Sequence, residues 1–308
     1  MSAPAPLLPA NSARRALAIL GNRWTLLILR DALFGVRQFN QWQARLGITP
    51  SVLSTRLKQL VSAGLLERVA FRETPPRVEY RLTDKALDTY GFALMLARWD
   101  QRWYGGKPRI ALTHKTCGHA TDPRFTCGTC KAQVTAHDVR YEAGPGAKRE
   151  RISAPRLRRA TITAAHRRAT HGFLEHVIDL LGDRWSSEVV AAAFFGLRRF
   201  DDIKAFTGMA TNILSHRLRL LTADGILERR AYQERPLRHE YALTEKGFDL
   251  YPEVAMLLRW GDTWLAGKEG PPLLLFHKTC GGPLDQRVTC SACGEDLKPR
   301  DVEYRLEE

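Results

Sequence analysis

The sequence predicts a mainly α fold with small β wings, an α+β class, built twice within one chain. Three observations carry that expectation. The segment Gly47–Tyr80, GITPSVLSTRLKQLVSAGLLERVAFRETPPRVEY, returns in altered form at Gly208–Tyr241 as GMATNILSHRLRLLTADGILERRAYQERPLRHEY, 161 residues later. In both copies a helical spacing of apolar residues gives way to a period of two around a Pro-containing loop. The six cysteines fall as three and three, each set after the last helical stretch of its copy. A period this long marks duplication of a whole domain and not a solenoid.

The chain has 308 residues, enough for two domains with their own cores. Its 44% hydrophobic and 26% charged residues are those of a globular protein. No apolar run reaches the ~18–20 residues needed to cross a bilayer, so no membrane partner is expected. The start, MSAPAPLLPANSARR, lacks a basic stretch leading into an apolar core, which argues against a signal peptide and for a cytoplasmic protein. Residues 1–10, rich in Pro and Ala, are expected to be disordered. The net charge of +14 points to a polyanion, because each Lys or Arg at a phosphate releases condensed counterions.

The elements follow in order. Ala13–Leu20 reads as a short helix, broken at Gly21–Asn22. Trp24, Leu27, Ile28 and Ala32 space a second helix, up to Phe34–Gly35. Phe39–Leu46 is a third, with Gly47 as its C-terminal glycine. Pro50 suits the first turn of a fourth helix. Val52, Leu53, Leu57, Leu60 and Val61 form its apolar stripe, and Gly64 ends it. Leu66–Ala70 and Val78–Leu82 alternate as strands. Thr83 is an N-cap for one long helix, Asp84–Tyr104. The second copy repeats the plan with Thr244 as the cap, and Pro252 is expected to kink or restart its long helix. The expected divisions are a winged-helix domain over 11–104, a ribbon-like module over 105–141, and a basic linker over 142–171. A second winged-helix domain then spans 172–266, and a second module 267–308. Within the linker, Leu157–Ala169 is a candidate helix.

Three helices followed by a two-stranded wing is the order of a winged helix-turn-helix, whose last helix enters the major groove of duplex DNA. The groove-facing candidates are Thr49, Ser51, Ser54, Thr55 and Lys58 in the first copy, with Arg72 and Arg77 at the wing. Their counterparts are Thr211, Asn212, Ser215, His216 and Arg219, with Arg235 and Arg238 at the second wing. Arg56 and Arg217 are ambiguous between DNA contact and pairing inside the domain. Trp24, Trp185, Trp99, Trp103, Trp260 and Trp264 read as core or interface anchors.

The stretches LGNRWTLLILRDALFGVRQFNQW, GITPSVLSTRLKQLVSAGLLERV and TPPRVEYRLTDKA resemble the HxlR-type bacterial transcription regulators, over about residues 11–141 and again about 172–306. The resemblance implies a winged-helix fold, dimerisation through the first and last helices, and binding to a specific operator. Many such regulators sense reactive compounds through a cysteine just before the first helix. The matching positions here are Asn11 and Gly172, so thiol sensing at that place is not expected.

The cysteine sets read His114-x2-Cys117-x9-Cys127-x2-Cys130 and His277-x2-Cys280-x9-Cys290-x2-Cys293. Two knuckles offering two ligands each suit tetrahedral zinc, so two structural zinc sites are expected, one per module. His119 is a rival to His114, but Gly282 stands at its counterpart. The alternative is reduced, metal-free thiols. Neither set has the His-x-Glu of a zinc deaminase, and no nucleophile set or phosphate-binding glycine loop is present, so no enzyme is expected.

These features predict a DNA-binding transcription regulator, a repressor, using both heads as a covalent pseudo-dimer on an operator with unlike half-sites. Pairing of two chains is the other arrangement. The competing function is a protein-interaction scaffold in which only one head binds DNA. A small-molecule effector fits between the heads and the long helices, although no residue singles it out.

Overall fold

In the computed structural model, which describes residues 7–72, 77–105, 109–151, 174–182 and 184–307, each copy begins with a helix set by local capping. Asn11 accepts the N–H groups of Ala13 and Arg14 to start α1 (Ser12–Leu20), and Asn22 does the same with Trp24 and Thr25 for α2 (Arg23–Leu33). Helix α3 (Phe39–Leu46) ends at Gly47, whose φ of 58° is left-handed. Helix α4 (Pro50–Ser62) carries Pro50 in its first turn. Leu53, Leu57 and Leu60 are fully buried against the preceding helices, but Val52, expected in the same stripe, is 36% exposed at its edge. Trp42 anchors the packing, donating its indole N–H to the Ile28 carbonyl at 3.2 Å. Strands β2 (Leu66–Arg72) and β3 (Arg77–Leu82) form the antiparallel wing.

One uninterrupted helix over 84–104 is not what forms. Instead α5 (Asp84–Leu87) stops, and α6 (Tyr90–Tyr104) starts afresh. The Thr89 hydroxyl and amide both bond back to the Ala86 carbonyl, at 2.6 and 3.0 Å, tightening the turn. The second copy breaks at the same place, although only it has a proline there. The break is therefore a property of the architecture, and Pro252 merely occupies the first turn of the new helix.

The second copy supplies α7 (Glu175–Leu181), α8 (Arg184–Phe194), α9 (Phe200–Thr207) and α10 (Thr211–Ala223). Its wing is formed from β9 (Leu227–Glu234) and β10 (Leu237–Leu243), followed by α11 (Glu245–Phe248) and α12 (Tyr251–Leu265). The two copies pack on one another in reciprocal fashion. Trp99 donates to the Lys246 carbonyl at 3.0 Å, and Trp260 to the Lys85 carbonyl at 2.9 Å. Trp103 donates to Asp249 at 2.8 Å, and Trp264 to Asp88 at 2.9 Å. Arg98 and Arg259 pair with the same two carboxylates. The helix break is what turns Asp88 and Asp249 toward the opposite copy. Helix α1 lies along α12 so closely that a Cβ on Gly261 would sit 2.3 Å from the Ser12 carbonyl oxygen.

The expectation of two self-contained ribbon modules meets a different arrangement. Strand β4 (Arg109–His114) carries the short strand β5 (His119–Ala120) on one side. On its other side it pairs with the last strand of the second copy, which lies at Val302–Glu307. Strand β7 (Val139–Ala143) pairs with the second copy's Leu273–His277. Between them, β6 (Arg124–Cys127) pairs antiparallel with its own counterpart, Gln286–Thr289. The modules have exchanged strands.

At the N-terminus, expected to be disordered over 1–10, Leu7–Pro9 forms β1, antiparallel to β8 (Arg149–Arg151) within the expected linker. The linker's first turn is also held, since the Gly144 and Gly146 amides bond to Pro272 and Pro271 carbonyls. The candidate helix Leu157–Ala169 lies outside the described residues. In chain order the remaining strands are β11 (Leu273–His277), β12 (Gln286–Thr289) and β13 (Val302–Glu307). Among the described residues no helix is long and apolar enough to cross a membrane.

Candidate nucleic-acid interface and metal clusters

Burying one side of α4 leaves the opposite side to solvent. Thr49, Ser51, Thr55 and Lys58 are exposed there, and Ser54 is half-buried. The Thr55 hydroxyl donates to the Ser51 carbonyl at 2.8 Å, leaving its oxygen free to accept. On α10 the same positions hold exposed Thr211, Asn212, His216 and Arg219, with Ser215 half-buried. Arg56 lies half-buried beside this face and donates to Gln59 at 2.8 Å, while burial lowers its pKa. In the first wing Arg72 and Arg77 stand opposite one another in register, flanking residues 73–76, which are outside the described set. In the second wing Arg235 and Arg238 are exposed on either side of the turn. Of the two positions matched to the sensing cysteine, Asn11 is a buried helix cap, and Gly172 lies outside the described residues.

All eight expected metal ligands come together, but not as two intact sets. Among the described residues His114 and Cys117 cluster with Cys290 and Cys293, while Cys127 and Cys130 cluster with His277 and Cys280. The correction follows from the exchanged strands: pairing β6 with β12 places each Cys-x2-Cys knuckle beside the other copy's His-x2-Cys turn. Sequence spacing names the ligands and is silent on which knuckles meet.

In the first cluster Cys293 Sγ is 3.3 Å and Cys117 Sγ 3.6 Å from His114 Nδ1, and the Cys117 and Cys290 sulfurs are 3.9 Å apart. In the second, Cys130 and Cys280 lie 3.3 and 3.5 Å from His277 Nδ1. A tetrahedron with metal–sulfur bonds of about 2.3 Å and metal–nitrogen bonds of about 2.0 Å has edges of ~3.5–3.8 Å, so both clusters fit a metal ion. His114 and His277 are buried. Burial raises the Cys127 thiol, but hydrogen bonds from Cys130, Thr129 and Asp285 backbone outweigh it, bringing the pKa to about 6. Cys290 also reaches about 6, where burial is outweighed by Thr121 and the Cys293 and Ala292 amides. Both shifts favour the thiolate, the form that binds a metal.

Two features escaped the sequence reading. Arg14, Glu188 and Arg184 form a buried charged group joining α1 to α8, with Arg184 2.5 Å from Glu188 and Arg14 3.5 Å. Glu253 is 3% exposed, and among the described residues neither carboxyl oxygen has a hydrogen-bond partner in another residue. Burial, reinforced by the Asp249 charge and opposed by its own backbone amide and by Arg98, raises its pKa well above the carboxylate range. The signal was legible: the matching position in the first copy, 161 residues earlier, is Phe92.

A family model described as HxlR-like helix-turn-helix matches residues 19–107 and 180–269, more than half of the chain. An uncharacterized HTH-type transcriptional regulator of Mycobacterium tuberculosis is 45% identical over 139 residues, covering 44% of this chain and 88% of the relative. The regulator YvaP of Bacillus subtilis, also uncharacterized, is 34% identical over 92 residues, covering 30% of this chain and 85% of the relative. Among solved structures, the transcriptional regulator YodB of B. subtilis in its reduced form is 30% identical with a TM-score of 0.27, covering 30% of this chain and 91% of that one.

Proposed function

The chain belongs to the HxlR-like helix-turn-helix family, and from that membership we propose that it is a sequence-specific DNA-binding repressor whose two heads act as a covalent pseudo-dimer. The observation that carries the pseudo-dimer is the reciprocal seating of the indoles: Trp99 on Lys246 and Trp260 on Lys85, each long helix docked on the other copy. Helix-turn-helix dimers read two half-sites about one DNA turn apart. Here both heads reside in one chain. Because Ser51 and Thr55 are replaced by Asn212 and His216, the two half-sites are unlike. Repression follows from occupying the operator. The domain divisions expected from sequence remain as units of this proposal, the two ribbon modules acting as one exchanged clasp.

Thr49, Ser51, Ser54, Thr55 and Lys58, with Thr211, Asn212, Ser215, His216 and Arg219, meet the grooves, Lys58 and Arg219 at the phosphates that border them. Arg72, Arg77, Arg235 and Arg238 meet phosphates or the minor groove. The metal is zinc in both clusters. It supplies cross-linking of folded segments, and with four protein ligands it leaves no position for a reacting water. Each zinc joins the two copies, since each cluster takes two ligands from each.

Selection of bound sequences from random DNA, with light scattering of the complex, tests this reading. One chain on an asymmetric pair of half-sites is expected. A perfect palindrome, or two chains per operator, would overturn the pseudo-dimer. Loss of all affinity on changing α4 alone, with no loss on changing α10, would favour the single-head scaffold.

A further inference from the structure

Glu253 lines a cavity of about 40 Å³ that opens to solvent. Its walls come from α1, α2, α6, α7, α8 and α12 and are almost wholly apolar, with Leu17, Phe92, Val177, Val190 and Leu257 among them. The other polar side chain in the lining, Ser187, already donates its hydroxyl to the Leu181 carbonyl at 2.8 Å. Among the described residues no other residue donates to either oxygen of Glu253, and both oxygens are shielded from solvent. A buried acceptor without a partner costs stability, and a ligand that brings the donor recovers it. A second apolar cavity of about 110 Å³ shares Leu20, Phe92 and Ile178 with the first, so an apolar tail has room beyond the carboxyl.

We propose that this cavity binds a small apolar amine, its ammonium group hydrogen-bonded to Glu253 and its hydrocarbon body lying among the helices that join the two copies. Concave, apolar sites with one placed polar group are the usual form of small-molecule pockets. An ammonium matches this one because it supplies several donors and its charge stabilises the ionised carboxyl, which gives up its proton to solvent as the amine binds. The first copy offers no equivalent, since Phe92 replaces the acid, and one site per chain follows. Binding of the amine does not depend on the DNA-binding reading.

Isothermal titration of the purified full chain, without DNA, tests the site with phenethylamine and its neutral isostere 2-phenylethanol. Phenethylamine should bind once per chain, and the alcohol at least tenfold more weakly. Glu253→Gln should weaken the amine at least tenfold while leaving the alcohol unchanged. Glu253→Phe, which repeats the residue type of Phe92, should fill the cavity and abolish binding while unfolding as cooperatively as the parent. Equal affinities for amine and alcohol, unchanged amine binding in Glu253→Gln, or no binding at millimolar amine would each overturn the proposal. Because DNA is absent, such a failure leaves the regulator reading where it stood.

Discussion

Glu253 shows how a single residue sets a pH dependence. Its pKa in the fold is raised far above that of an unfolded glutamate, about 4.3. Between those values the folded state holds a proton that the unfolded chain has lost, so stability falls as pH rises through about 4.3 and above. Below that value the penalty vanishes. Glu253→Gln should therefore be more stable than the parent at pH 7–8, and the difference should shrink toward pH 4. Urea midpoints of the two proteins across that range check the sign. Asn22 works in the opposite sense, holding two amides at the start of α2. Asn22→Ala should cost about 1 kcal/mol, read as a lower urea midpoint with unchanged slope.

At the scale of elements, α4 and α10 share a frame and differ on one face. Leu53, Leu57 and Leu60 match Leu214, Leu218 and Leu221 in burial, so packing holds both helices in the same way. Leu57→Ala should cost about 2–5 kcal/mol and weaken DNA binding only through loss of fold. Lys58→Ala and Arg219→Ala should instead leave stability within ~0.5 kcal/mol. Each phosphate contact so removed should reduce the slope of log affinity against log salt by about 0.9, measured by fluorescence anisotropy on the selected operator. The spacing of apolar residues made all these helices legible in sequence. The break at Asp88–Thr89 was not, because residues 84–104 keep helical spacing throughout. Contact with Arg259 and Trp264 of the other copy is what the break serves.

For the whole molecule, the ribbons decide how the halves are joined. Each cluster has two ligands from each copy, so paired substitutions separate the exchanged arrangement from the closed one. Cys117→Ser with Cys290→Ser removes ligands from a single cluster, and one zinc per chain should remain by metal analysis. Cys117→Ser with Cys127→Ser touches both clusters and should leave less than one. Two self-contained ribbons would give the reverse result. Metal removal by a chelator should also lower the unfolding temperature of the full chain, since ligands far apart in sequence are released together.

The sequence by itself determined the duplication, the helix-and-wing plan of each copy, the eight metal-ligand candidates and the faces turned away from the core. The duplication is read by comparing the two copies, and the rest is local: periodicity, capping and ligand spacing act over a few residues. Tertiary structure alone decided that β4 pairs with β13, and β7 with β11. It also decided that His114 meets Cys293, and that the carboxyl of Glu253 closes into an apolar cavity. Strands pair through backbone groups, so hydrogen-bonding edges are on offer both within a copy and between copies. The choice falls to the seating of the long helices and their tryptophans, which brings the edges of opposite copies together.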